Sequence, residues 1–240
     1  MANRIKIDNS ILKKQKKKEE KQTRKKQMSC QILIVAEGEK TEPNYFNHFA
    51  TKNNDYFVYE VECDGTGKNT MAVVNKAIEL KESRSNQDKY DSVWAVFDKD
   101  GFPDNNFNSA IAKAEANGVN VAWSNEAFEL WYLYHFQNRI TAMSRDEFKT
   151  AISKAVNNSG KWKSKTPYKY KKNCERNFEI MTTYGNMEQA IKNAEQQHKT
   201  FTDTRYAKHN PCTTVYKLVQ QLLNRDEELI ATVMEKINKQ

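Results

Sequence analysis

Apolar residues fall into two rhythms along this chain, and the change from one to the other divides it. Between residue 31 and about residue 140, short apolar runs alternate with stretches of helical spacing. Residues 31–36 form a continuous branched run, as a strand buried on both faces requires, and the run stops at Glu37 and Gly38. Pro43 then permits a helix start, with Tyr45, Phe46 and Phe49 as its apolar face. Residues 56–63 alternate as a second strand, 64–67 read as a turn, and 70–81 have helical spacing at Val73, Val74, Ala77 and Ile78. A third strand over 92–97 runs straight into Asp98-Lys99-Asp100-Gly101. Next come a helix over 107–117 stopped by Gly118, a fourth strand over 119–123, and a helix over 126–136. Strands alternating with helices predict an α/β fold with a parallel sheet flanked by helices.

After about residue 140 the strand signals disappear. Residues 145–156, 174–184, 187–198, 213–223 and 226–238 all have helical spacing, so a helical C-terminal region is expected to pack on the sheet. The predicted organisation is a basic, disordered arm over 1–30, an α/β domain over 31–140 and helices over 141–240. Composition sharpens this picture at one end. The net charge is +8, and residues 1–30 account for all of it, with eleven Lys and Arg against three acids. Such a block reads as an arm that touches polyanions or as a solubilising tail. With 38% hydrophobic residues, 7 Gly and 4 Pro, the rest is not collagen-like or disordered. No apolar run reaches the roughly 18 residues of a membrane span, and the N-terminus lacks a signal-peptide core, so a soluble cytoplasmic protein is expected. Cys30, Cys63, Cys174 and Cys212 have no paired spacing, which argues against a thiolate zinc site.

The candidate chemistry is acidic. In an open α/β sheet ligands bind beyond the carboxyl ends of the strands, and two of those ends carry acids here: Glu37 after the first strand, Asp98 and Asp100 after the third. Alternate residues of an extended segment point to one side, so Asp98 and Asp100 can converge with Lys99 turned away. Carboxylates so placed suit a hard cation such as Mg²⁺, although Asp-x-Asp-Gly is also ordinary turn chemistry. Glu129 adds weight, because its helix is apolar nearly all round, and a buried carboxylate needs a cation or several donors. Glu126, at the expected helix start, is explained by the macrodipole alone.

The stretches 34–46 (IVAEGEKTEPNYF), 94–100 (WAVFDKD), 124–131 (SNEAFELW) and 210–219 (NPCTTVYKLV) together resemble the RloB family, which includes the second component of the AbiL abortive-infection system. The resemblance implies a Toprim-like catalytic domain. It places Mg²⁺ or Mn²⁺ on Asp98 and Asp100, gives Glu37 a metal-binding or acid/base role in phosphodiester chemistry, and matches Glu129 to the acid of the family's Phe-Glu-Leu-Trp stretch. It also implies a neighbour-encoded AAA-type ATPase as partner. The chain departs from the family pattern at Glu126-Ala127, which leaves Glu126 without support.

Two further signals complete the reading. Gly65-Thr66-Gly67-Lys68 fails as a phosphate loop, since Glu62 stands where a glycine is required and Asn69 where Ser or Thr is required. Lys68 can still touch a substrate phosphate. Residues 161–172 hold six lysines interleaved with Trp162, Tyr168 and Tyr170, a pattern of phosphate grip and base stacking, with Lys163, Lys165, Lys169 and Lys171 as expected nucleic-acid contacts. None of the four histidines has ligand spacing, and His135 reads as a core histidine. The expectation is a metal-dependent nuclease acting on RNA such as tRNA, or on DNA, in phage defence. The alternative is a non-catalytic nucleic-acid-binding or docking subunit of an ATPase complex. Homo-oligomerisation stays open.

Overall fold

The structure, a computed structural model, describes residues 28–49, 57–65, 69–84, 89–223 and 225–238. Four parallel strands, β1 (Met28–Ala36), β2 (Phe57–Gly65), β3 (Ser92–Asp98) and β4 (Asn120–Asn125), carry a short fifth, β5 (Cys212–Thr213), antiparallel at the edge. The order is β2-β1-β3-β4-β5. The expected α/β architecture with a helical C-terminal region is therefore present. The arm over 1–27, the Thr66–Lys68 part of the glycine-rich stretch, and Lys68 with it, lie outside the described residues.

The continuous apolar strands are explained by what covers them. Ile32, Ile34, Ala36, Trp94 and Val96 face one side, and Leu33, Val35, Val93, Ala95 and Phe97 the other, as a period of two demands. On the second side lie α2 (Thr70–Ser83) and α3 (Asp104–Ala116), which bring Val73, Val74, Ala77, Phe107, Ala110 and Ile111 to the sheet. On the first side lie α1 (Thr41–Phe46), α4 (Glu129–Tyr134), α5 (Arg145–Asn157), α6 (Asn177–Tyr184), α7 (Met187–His198), α8 (Val215–Leu222) and α9 (Glu227–Asn238). One core runs without interruption from Cys30 through Trp131 and Ile152 to Val219 and Val233. The Trp94 Nε1–H donates to Gln221 Oε1 at 2.7 Å inside it.

Several boundaries differ from the expected ones for physical reasons. Helix α3 begins a turn early, at Asp104, where the Pro103 carbonyl accepts from the Asn106 and Phe107 N–H groups. Strand β4 reaches Asn125, since its polar end is held by β5: Ser124 and Thr213 share a 2.9 Å hydroxyl hydrogen bond, and the Trp123 N–H donates to Thr214 Oγ1 at 2.9 Å. Strand β5 itself contradicts the expectation that no strand follows residue 140. Helix α4 begins at Glu129, so Glu126 sits in a bend before it and not in a first helical turn. The macrodipole account of Glu126 is thereby removed. All six residues of α4 are buried, as its apolar sequence requires.

Candidate active site

The acids gather where β1, β3 and β4 end. Glu37 follows β1 directly; its N–H donates to the Val96 carbonyl at 2.8 Å, and its Oε2 accepts from the Asp98 N–H at 3.2 Å. Asp98 closes β3 and is buried. Pairing with the β4 side continues past it: the Lys99 N–H reaches Ser124 O at 2.8 Å and the Asp100 N–H reaches Glu126 O at 3.2 Å. Asp100 has φ 41°, a left-handed conformation that Asp accepts more readily than most residues. Lys99 turns away, donating to Phe102 O at 2.6 Å and pairing with Asp104 at 3.2 Å. Asp98 and Asp100 converge as the alternation predicts, and they converge on Arg145. Its guanidinium reaches Asp100 Oδ2 at 2.6 Å and Asp98 Oδ2 at 3.3 Å.

Arg145 is placed by its helix start. Ser144 and Glu147 form a reciprocal capping box, with the Ser144 N–H donating to Glu147 Oε2 at 2.7 Å, so α5 enters the site at a fixed residue. A cation in a first turn opposes the helix macrodipole, and the two aspartates are what offset that cost. Burial alone would lower the Arg145 pKa, but Asp98 and Asp100 outweigh it and raise it, so the side chain stays charged.

Two more carboxylates lie behind this bridge. Glu129, the first residue of α4, is 4% exposed and accepts from the Tyr170 hydroxyl at 3.1 Å. Glu42, in the first turn of α1, is 5% exposed. Gly38 makes room for it: a Cβ there would stand 2.1 Å from Glu42 Oε2. Burial pushes the Glu42 carboxyl up to about 7, with Glu129 and Glu37 adding to the effect. Asp98 is raised well above the carboxylate range, first by burial and then by Glu42, Glu129 and Glu37. Glu37 is raised by burial, against the hydrogen bond from Asp98. A cleft of about 590 Å³ opens over these groups, lined by Glu37, Asp98, Asp100, Arg145, Lys40 and Lys172 among others.

This site fits a hard divalent cation in charge and in donor chemistry. Five carboxylates face one arginine and the lysines at the rim, and the buried Glu42 Oε2 and Glu129 Oε2 have no hydrogen-bond partner. A buried carboxylate oxygen without a donor costs stability unless a proton or a cation meets it. The acids do not form a ready ligand set, however. Among the described residues no three His, Cys, Asp or Glu side chains stand together as one, and Arg145 spans the two aspartates.

Of the residues expected from sequence, Glu37, Asp98 and Asp100 line the cleft, while Glu129 is buried beside it. Lys163, Lys165, Lys169 and Lys171 are exposed and do not line it. The aromatic half of that segment is corrected. Tyr168 and Tyr170 are buried, and Trp162 packs against Tyr168 and Tyr184 with its Nε1–H on Thr166 O, so these rings are packing residues and not a stacking platform. Sequence reasoning missed Glu42 and Arg145. Arg145 did leave a signal, a cation at a helix start where a cation is disfavoured.

Residues 32–222 match a family model described as RloB-like protein. No curated protein and no solved structure matches the chain.

Proposed function

Since the chain belongs to the RloB-like protein family, we propose that the acid cleft is the active site of a metal-dependent phosphodiesterase, a nuclease acting in defence against phage. The observation that carries this reading is the excess of carboxylates at the strand ends, with two buried oxygens unpartnered. Asp98, Asp100 and Glu37 would hold Mg²⁺ or Mn²⁺ at the cleft, with Glu129 and Glu42 behind them. When bound, the ion supplies charge neutralisation at the scissile phosphate and lowers the pKa of water. Glu37, its pKa raised by burial, is suited to carry a proton to or from the reacting oxygens. Lys172 and Lys40 at the rim attract the phosphate backbone. With such an ion on Asp98 and Asp100, the Arg145 guanidinium that now bridges them would be left to hold a substrate phosphate. RNA and DNA present the same phosphodiester to such a site. Activation by a neighbour-encoded AAA-type ATPase belongs to this proposal as the family's expectation.

The test is single-turnover cleavage of cellular RNA and DNA in Mg²⁺ or Mn²⁺, with and without that partner. Asp98→Asn and Asp100→Asn are expected to abolish cleavage while keeping the fold; equal activity in the double variant would overturn the assignment. Replacing Lys163, Lys165, Lys169 and Lys171 by Gln is expected to weaken nucleic-acid binding and its salt dependence. One observation favours the second reading, a binding subunit without catalysis: Arg145 already neutralises Asp98 and Asp100. That protein would bind nucleic acid equally well in EDTA and in Mg²⁺, and would cut nothing.

A further inference from the structure

A second cleft, of about 540 Å³, lies at the other ends of the two helices that start in the acid site. Helix α4 begins at Glu129 and passes into His135 and Phe136. Helix α5 begins at Arg145 and ends past Lys154 and Ala155, about 18 Å along for its 13 residues. The charge of this cleft is the reverse of the first. Arg139, Lys154 and Lys161 line it, and no acid does. None of the three cations has an ion-pair partner among the described residues. The acid that Arg139 senses, Glu147, is held by Ser144. Lys161 donates to Gly185 O at 3.1 Å and to Thr183 O at 3.3 Å, which fixes its ammonium at the cleft wall. The N-terminus of α7, capped by Asn186, also borders the cleft and adds its positive end.

The uncharged part of the wall narrows the ligand. His135 belongs to it, 1% exposed; its Nδ1 lies 3.0 Å from the Trp131 carbonyl, which can only accept, so Nδ1 carries the proton. Nε2 is therefore unprotonated, and it is buried with no partner, closed off from the cleft. Burial lowers this histidine to about 4, so the neutral form holds at physiological pH. Three cations call for more than one negative charge. Tyr184 and Gln189 add a ring and an amide to the same wall. The volume falls within the range of small-molecule sites.

We propose that this second cleft binds a nucleoside phosphate, free or as the terminal nucleotide of a strand, with its phosphates on Arg139, Lys154 and Lys161 and its base beside Tyr184 and Gln189. The site is independent of the phosphodiesterase reading. It is tested by calorimetric titration of the full chain in EDTA at low salt. The titrants are the four ribonucleoside triphosphates, AMP, adenosine, inorganic phosphate and a 5′-phosphorylated oligonucleotide. At least one nucleotide is expected to bind one to one, with adenosine and inorganic phosphate weaker by about tenfold or more. Lys154 is exposed, and Arg139 is half-buried with its guanidinium on the Thr141 and Ala142 carbonyls of its own loop, outside the core; Arg139→Ala with Lys154→Ala is expected to weaken binding by about tenfold or more. Asp98→Asn is expected to leave it intact. A tighter oligonucleotide identifies a strand end as the source, and a tighter free nucleotide a soluble ligand; both support the proposal. Phosphate bound as tightly as any nucleotide, no binding at millimolar concentration, indifference to the double variant, or loss with Asp98→Asn would each overturn it.

Discussion

Among the carboxyls whose pKa values burial raises, Glu42 contributes a defined part of the pH behaviour expected of the metal-free protein, beside Asp98 and Glu37. Its pKa in the folded chain is raised to about 7, against an ordinary value of 4.5 in the unfolded one. The folded state thus holds more protons between those values, and stability is fully present below pH 4.5 and lost as pH rises toward and through 7. Melting temperatures measured in EDTA are expected to fall across that window, and Glu42→Gln to flatten the fall and stabilise the protein above pH 7. An unchanged slope in the variant would show that the proton sits elsewhere. Gly38 belongs to the same arrangement. Gly38→Ala places a methyl group where Glu42 Oε2 now lies, and because that oxygen ends a flexible side chain the fold should survive. The expected result is weakened Mn²⁺ binding with a small change in stability. Arg145→Gln is expected to act in the opposite direction, tightening Mn²⁺ binding by removing the competing cation, as calorimetry against Mn²⁺ would read.

Among the elements, β1 and β3 were legible because both faces of the sheet are covered, which leaves a run of apolar residues that no helix period explains. The acids at the ends of β1 and β3 were legible for the same reason, since a strand end in such a sheet has one functional direction. Glu42 was hidden, because an acid in a helix first turn has an ordinary explanation, and only Gly38 and the third dimension make it buried. Glu126 was misplaced because 126–136 has continuous helical spacing, while the chain bends until Glu129. The polar end of β4 could not be read locally; its partners Thr213 and Thr214 lie about ninety residues away. Helix α5 offers an element-scale test. Ser144→Ala removes a capping hydroxyl and should cost about 0.5–2 kcal/mol. If the cap also aims Arg145, the variant should bind Mn²⁺ more tightly than its stability loss alone explains.

At the scale of the molecule, the uninterrupted core joins the sheet to helices drawn from both halves of the chain. Calorimetry in EDTA is expected to show a single cooperative unfolding transition; two resolved peaks would mean that the helices after residue 140 melt apart from the sheet. The last pieces of that core come late. Strand β5 supports the polar end of β4 from residues 212 and 213, Gln221 holds Trp94, and Val233 closes the apolar cluster. During synthesis, then, the first two hundred residues leave the ribosome with Trp94 and Ala122 lacking their covers. A nascent chain in that state offers sticky apolar surface to chaperones, and a product ending at residue 205 is expected to aggregate or bind hydrophobic dyes instead of folding. Ribosome-bound protease protection should therefore rise in one late step.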